Sequence, residues 1–362
     1  MGANDKVQGK TDITVPEGLT EIGILLYPRA QMSAVLGLTD LFAVASRLSA
    51  EHEGANPRQL RISHWQLRDS PTFELGRVFD THRQAPQKLV GLILPPNLDT
   101  DPQGGAIPQL QEWVETQHAS GCIVCSVCGG AFLLAKTGLL DGRSATTHWS
   151  FSETLAERFP KIRVETEKLI IDDGDIITAG GLMAWVDLGL KLVDRFLGPT
   201  VMLETARFFL VDVSGRQQRF YSNFSPRLHH GDEPILKIQQ WLQTSDVSSL
   251  SVSTMAAKAR MGERTFLRRF QKATGLTPTE YVQHLRVGKA RESLEFSSLA
   301  MKEIAWKVGY EDYGAFRKVF QKIMGLSPGD YRLRFSVQGN RARRARDAEG
   351  ESRISRRTVQ AF

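Results

Sequence analysis

The chain has 362 residues, enough for two or more domains, and its 41% apolar and 24% charged residues exclude an intrinsically disordered protein. Three cysteines, at 122, 125 and 128, exclude a disulfide framework and fit a reducing compartment; no run of 18 apolar residues predicts a membrane span, and the N-terminal MGANDKVQGKTDITVPEG lacks the apolar core of a signal peptide. Charge divides unevenly, with net −4 over residues 1–230, +6 over 231–335 and +4 over 336–362, so an anionic partner is expected for the last third alone.

In chain order, residues 1–18 are polar without periodicity and predict a flexible tail. EIGILLY (21–27) is an apolar run of strand length, and residues 33–48 have the apolar spacing of a helix. RISHWQL (61–67) alternates like a strand, LVGLILP (89–95) has the pattern of a buried strand, and 107–118 is helical around Trp113 and Val114. GCIVCSVC (121–128) predicts a strand that runs through Gly129-Gly130 into the helix AFLLAKTGLL. Short strand signals recur at 144–147, 162–165, 168–171 and 175–178, and helices follow near 182–197 and 200–211. Strands alternating with helices predict a doubly wound, mostly parallel α/β sheet over 19–211.

Residues 212–231 (DVSGRQQRFYSNFSPRLHHG) carry Gly, Ser, Asn and Pro without a period and predict a linker, with His229-His230 a solvated pair in it. From 232 to 335 the pattern is all helical, and it repeats. FLRRFQKATGLTPTEY (266–281) aligns with FRKVFQKIMGLSPGDY (316–331) at a shift of 50, and Ala256 matches Ala305 at a shift of 49. Each copy predicts a short helix, a tight turn and a second helix ended by Gly275 or Gly325: a helix-turn-helix, present twice. The Arg-rich 336–362 predicts a disordered basic tail.

At 100° per residue Phe266, Phe270 and Ala273 share one stripe and face a core. Arg264, Arg268 and Lys272 fall on the opposite stripe with Thr265 beside them, the arrangement for entering a DNA major groove. In the second copy Phe316 and Phe320 are the anchors, Gly314, Lys318 and Lys322 form the outer stripe, Tyr313 stands near the helix start and Arg317 to the side. Arg264, Thr265, Arg268, Tyr313, Gly314 and Lys318 are expected to read bases; Arg269, Lys272, Arg317 and Lys322 are expected on phosphates. The duplication, with IAWKVGYEDYGAFRKVFQKIMGLSPGDYR (304–332), resembles the AraC/XylS family of transcription regulators. That resemblance implies two helix-turn-helix units joined by a long helix at about 279–295, reading successive major grooves roughly 34 Å apart. Arg260 stands where the first turn of that family often carries a small residue, and Gly314 removes a side chain from a reading position.

Cys128, in SVCGGAF (126–132), ends a strand and starts a helix, the place of an exposed nucleophile at a sharp elbow. SVCGGAFLLAKTGLLDGRSATTHW (126–149) resembles the ThiJ/PfpI, class I amidotransferase-like fold, a flavodoxin-like architecture. The resemblance covers about 20–212 and implies an elbow cysteine at Cys128 and a following histidine at His148. The acid that enzymes of the fold carry on their first helix corresponds to about Ala34, which has no carboxylate. An effector pocket around Cys128, Gly129 and His148 is therefore expected in place of catalysis, bordered by the loop GLILPPNLDTDPQGG (91–105) beyond its strand. A metal reading of Cys122-x2-Cys125-x2-Cys128 fails on strand geometry, which points 122 and 128 to one face and 125 to the other, so no metal is expected. No nucleotide motif is present and no cofactor is expected.

The two domains together resemble the GlxA-like regulators. The expected function is a cytoplasmic, sequence-specific DNA-binding transcription regulator with a small-molecule sensor domain. Its expected partners are double-stranded DNA, a small-molecule effector, a second copy in a homodimer and, for an activator, RNA polymerase. The alternative is a cysteine-dependent enzyme of amidase, protease or glyoxalase type with a DNA-binding appendage. The duplicated cationic helices discriminate between them, since a bare enzyme has no use for those helices.

Overall fold

The computed structural model describes residues 18–53, 57–68, 75–83, 88–98, 108–213 and 216–337. Most of the two expected tails and residues 99–105 of the expected pocket loop lie outside them. The chain divides into two compact units between Gln218 and Arg219.

The first unit runs β1 (Leu19–Leu26), α1 (Met32–Glu53), β2 (Gln59–Leu67), β3 (Leu75–Asp80), β4 (Leu89–Leu94), α2 (Pro108–Ala119), β5 (Ile123–Val127) and α3 (Gly130–Lys136). It continues through β6 (Ser144–Ala145), α4 (Ser152–Arg158), β7 (Arg163–Val164), β8 (Ile170–Asp172), β9 (Ile176–Ala179), α5 (Trp185–Leu197) and α6 (Pro199–Phe208). Seven strands form a sheet of order β3-β2-β1-β4-β5-β9-β8, and β6 pairs with β7. The five inner strands are parallel, while β3 and β8 join antiparallel at the edges.

The apolar runs β1, β4 and β5 take the middle of the sheet because both of their faces are covered. One face buries Val35, Leu38, Leu41 and Phe42 of α1 with Leu188 and Leu192 of α5. The other buries Leu110 and Val114 of α2 with Phe132 and Leu134 of α3. Helix α1 has the length and apolar composition of a membrane span, yet its apolar stripe is spent on the sheet. Strand order reverses between β1 and β4, and a doubly wound sheet opens its ligand crevice at the carboxyl ends beside such a reversal. Tyr27, Pro95, Cys128 and Gly180 follow the four strands that end there.

The sequence pattern missed three features of this unit. Strand β3 has no clear alternation, and a buried ion cluster ties it down: Arg61, 1% exposed, joins Glu21 of β1 at 3.0 Å and Asp80 of β3 at 2.7 Å. Helix α4 is two turns with a single buried residue, Leu155, too short for a periodic signal. The cysteine facing was also wrong. Cys125 and Cys128 share one core and Cys122 lies in the other, because β5 ends at Val127 and Cys128 turns into the left-handed region at φ +52°.

The second unit is all helical: α7 (Glu233–Thr244), α8 (Val252–Lys258), α9 (Glu263–Thr274), α10 (Pro278–Phe296), α11 (Met301–Lys307), α12 (Tyr313–Met324) and α13 (Pro328–Phe335). Helix α10 opens with a capping box in which Thr277 and Glu280 satisfy each other's backbone N–H. It then serves two cores in turn. Tyr281 and Val282 pack with Phe266 and Phe270, and Val287, Ala290 and Leu294 pack with Phe316 and Phe320. The stretch expected as a linker is not free of structure. Residues from Arg219 onward pack on this unit, and His230, expected solvated, bonds Gln239 at 2.7 Å and accepts the Asp232 N–H.

Candidate functional site

The duplicated helices carry one candidate site. Helix α8, the turn at Arg260 and helix α9 form the first helix-turn-helix; α11, the turn at Gly309 and α12 form the second. Helices α9 and α12 end alike, on Gly275 and Gly325 at φ +78° and +75°, a left-handed stop that glycine adopts without strain. Helix α12 is capped at its start by the Asp312 carboxylate, which accepts the Ala315 N–H at 2.7 Å. Phe266, Phe270, Phe316 and Phe320 are fully buried and set the facing of both helices.

With those anchors inward, Arg264, Thr265, Arg268 and Lys272 of α9 are exposed together, as are Gly314, Arg317, Lys318 and Lys322 of α12. Tyr313 is half-buried, its ring tilted against Phe316 at 6.1 Å, so it shapes the start of α12 from beneath. Arg269 departs from its expected role. Its guanidinium clasps Asp232 with both oxygens, at 2.9 and 2.8 Å, and Asp232 is the cap of α7. One residue along a helix is 100° of turn, which takes Arg269 off the outer stripe and towards the start of α7, where it fastens two helices.

The cysteine elbow is the other candidate. Cys128 is 1% exposed, at φ +52°, a region costly for a side chain with a Cβ. Its backbone N–H donates to the Ala179 carbonyl at 2.7 Å, and its own carbonyl accepts the Thr147 hydroxyl at 2.7 Å. Gly130 follows because a Cβ there would stand 2.5 Å from the Leu94 carbonyl oxygen. The sulfur accepts the backbone N–H groups of Gly129, Gly181 and His148. Burial outweighs those three donors and pushes the thiol up to about 11, so it is protonated at neutral pH. Tyr27 lies close by, its hydroxyl donating to the Pro95 carbonyl and its pKa pushed far up by burial.

His148 meets the cysteine through its backbone and not its ring. The imidazole Nδ1 accepts the Ser150 N–H at 3.2 Å and pairs with the Ser150 hydroxyl at 2.6 Å. A ring whose Nδ1 accepts a backbone N–H carries its neutral proton on Nε2, which leaves no free lone pair to take a proton from a thiol. Burial lowers the ring's pKa further. Ala34, where an acid was looked for, is fully buried on α1. Thr39 on the same helix turns its hydroxyl to His64 at 2.8 Å instead. The elbow is assembled, and among the described residues neither the His148 ring nor position 34 offers its thiol a base or an acid. Among the described residues no cluster of His, Cys, Asp and Glu could hold a metal ion.

Two family models match, a helix-turn-helix domain over residues 255–334 and the DJ-1/PfpI family over residues 100–195. The chain carries a DJ-1/PfpI domain followed by an AraC-type helix-turn-helix domain. This combination is similar to the HTH-type transcriptional regulator CdhR of Pseudomonas aeruginosa, 26% identical over 64% of this chain and 69% of that one. It is also similar to the HTH-type transcriptional regulator GlxA of Rhizobium meliloti, 27% identical over 59% of this chain and 66% of that one. The aligned stretches thus span about two thirds of these regulators' own lengths. A third relative, the isonitrile hydratase of Pseudomonas putida, is 27% identical over 49% of this chain and 72% of its own. The GlxA-like resemblance read from the sequence agrees with these matches, as does the doubly wound fold followed by a helical DNA-binding domain.

Proposed function

We propose that the chain is a sequence-specific DNA-binding transcription regulator whose DJ-1/PfpI domain senses a small metabolite without reacting with it. One observation carries this reading: two copies of a helix-turn-helix whose phenylalanines are buried and whose Arg and Lys residues stand exposed on the opposite stripe. Arg264, Thr265 and Arg268 read bases in one major groove, with Gly314 and Lys318 at the matching positions in the next; Lys272, Arg317 and Lys322 meet phosphates. The regulators among the relatives support the same conclusion.

The sensor site is the crevice beyond β1, β4, β5 and β9, with Cys128, Gly129 and His148 at its floor. A protonated thiol, a histidine whose Nδ1 is occupied and an alanine in place of an acid support binding over catalysis. The isonitrile hydratase among the relatives keeps an enzyme as the second reading. The regulator works in the cytoplasm as a homodimer on double-stranded DNA, and with RNA polymerase where it activates.

The deciding experiment is footprinting on fragments of the chain's own genomic neighbourhood against scrambled DNA, at several salt concentrations. Protection across two adjacent major grooves is expected. Equal, weak binding to all sequences, together with turnover that depends on Cys128, would move the conclusion to the enzyme.

A further inference from the structure

The last residue of the first unit is held as firmly as any in its core. Gln218 is 3% exposed. Its Nε2 donates to the Thr146 hydroxyl at 3.0 Å, the Thr147 carbonyl at 2.9 Å and the Lys168 carbonyl at 3.2 Å, and its Oε1 accepts the Trp149 N–H at 3.1 Å. The amide lies directly on Gly180, where a Cβ would overlap it. Besides Lys168, two segments grip it, 146–149 and Gly180, and residues of the first together with Gly181 beside the second also line the thiol. His148 and Gly181 give their N–H groups to the Cys128 sulfur, and the Thr147 hydroxyl bonds the Cys128 carbonyl.

One peptide bond further on, the chain is fastened to the second unit. The Arg219 side chain lies over Gly325, the residue that ends α12. Arg334 of α13 covers the rings of Phe220 and Tyr221 and donates to the Tyr221 hydroxyl at 2.9 Å. Arg291 of α10 donates to the Ser222 carbonyl at 2.6 Å and to Asn223 at 2.7 Å. Phe224 stacks on His284 of α10 at 4.6 Å and meets Tyr281 edge-on at 4.9 Å.

We infer that Gln218 and the strap 219–224 transmit occupancy of the Cys128 site to the DNA-binding helices. The inference rests on the sensor reading given above. A conventional linker absorbs displacement in its slack residues, whereas here none separates the two anchorages. An occupant that shifts His148 or Gly181 must either carry Gln218 with it or strand a buried amide without partners, and the second course is the costly one. Movement of Gln218 then reaches Arg219 and, through Arg291 and Arg334, the helices α10 and α13 that support the second reading helix. Two sites are coupled in this way only when both bias one shared element, and the strap is that element.

The test is a thermodynamic cycle in the full chain. Cys128→Met adds bulk where an occupant would press, and Thr147→Val removes the bond to the Cys128 carbonyl as a gentler second perturbation. Each is combined with a Gly-Ser-Gly-Ser insertion between Gln218 and Arg219, and separately with Gln218→Ala. Readouts are the Kd for a specific genomic DNA fragment and amide hydrogen exchange along the chain. In the uninterrupted chain, at least one perturbation is expected to change the specific Kd by about 5-fold or more, within the usual range of allosteric coupling, and to alter exchange at 219–224. With the insertion or Gln218→Ala, the same perturbation still alters exchange at 147–149 but leaves the Kd within about 2-fold. A Kd shift that survives the insertion overturns the inference. So does an unchanged Kd in the uninterrupted chain whose exchange at 147–149 and 180–181 has altered. Should no chain prefer specific to scrambled DNA, the regulator reading fails, and exchange at 219–224, transmitted or not, still decides the coupling.

Discussion

Gly309→Ala should damage the second helix-turn-helix far more than any change at the matching position of the first. Gly309 sits at φ +88° in the turn between α11 and α12, and Arg260 occupies the equivalent turn between α8 and α9 at φ +54°. Placing a Cβ in left-handed backbone costs about 1–2 kcal/mol, and Arg260 already bears that cost. At Gly309 the new Cβ would also stand 2.7 Å from the Ser248 Cα and 2.8 Å from its carbonyl oxygen, with the Arg286 guanidinium at 3.0 Å. Neither neighbour yields cheaply, because the Arg286 guanidinium donates to the carbonyls of Val247 and Ser248 at 2.9 and 3.1 Å, and moving it or the Ser248 backbone gives up those bonds. Overpacking of this kind adds about 1–3 kcal/mol, so the whole penalty is about 2–5 kcal/mol. Arg260→Ala keeps the strain and loses only an exposed side chain, for a change within about 0.5 kcal/mol. Native-state hydrogen exchange resolves the two units in the intact protein: opening free energies of amides in α10, α11 and α12 should fall by the stated amount in Gly309→Ala and stay put in Arg260→Ala. A loss under about 2 kcal/mol for Gly309→Ala would refute the argument from Ser248, since strain alone accounts for that much.

Three further outcomes follow from the sites. Arg268→Ala should weaken binding to the specific DNA site by ~1–3 kcal/mol with an unchanged melting temperature, while Arg269→Ala should lower the melting temperature and keep the preference for specific over scrambled DNA; the reverse pattern would mean that the facing of α9 is misassigned. The Cys128 thiol should resist iodoacetamide at pH 7.5 and become reactive only as pH approaches about 11; peptide mass spectrometry showing stoichiometric labelling at pH 7.5 would refute the protonated state. The sign for stability agrees: a thiol raised from about 8.5 in the unfolded chain favours folding below that pH, and the contribution is lost between about 8.5 and 11. Cutting the chain after Val337 spares the buried Ser336 and should flatten the salt dependence of DNA binding by about one unit of log–log slope per phosphate the basic tail neutralises; an identical slope would dismiss the tail as a DNA contact.

The sequence disclosed most where a pattern repeats over many residues. The five inner strands were visible as apolar or alternating runs, and the helix-turn-helix pair was visible because two copies of one motif fix each other's register. Facing was then arithmetic, and it placed Arg264, Arg268, Lys272, Lys318 and Lys322 on exposed stripes. Arg269 escaped because its partner, Asp232, lies 37 residues away on another helix, and no local period reports a pairing of that span. Strand β3 escaped because an edge strand held by Arg61 and Asp80 needs little apolar patterning. The left-handed turn of Cys128 was legible as an elbow, but the fate of His148 was not. Whether its ring or its backbone meets the thiol depends on Ser150, two residues on, which claims the imidazole and leaves only the N–H. Gln218 gave no signal at all, since one polar residue in a Gly- and Ser-containing stretch looks like any linker.

The elbow holds a costly geometry although neither the His148 ring nor position 34 serves its thiol, and that geometry has a physical use. A left-handed Cys128 lets its N–H reach Ala179, its carbonyl reach Thr147 and its sulfur collect the N–H groups of Gly129, Gly181 and His148. These hydrogen bonds converge on a single residue, and they draw together the ends of β5 and β9 and the loop after β6. Relaxing Cys128 to ordinary backbone would scatter all of them. Here the same strain holds together the segments that also form the slot for Gln218. A site packed this closely is well suited to register an occupant, because small displacements of its walls cannot be absorbed locally. On the proposed sensor reading, an alanine at position 34 and a His148 ring engaged by Ser150 spare an occupant from turnover, and the rigidity that remains is what sensing needs.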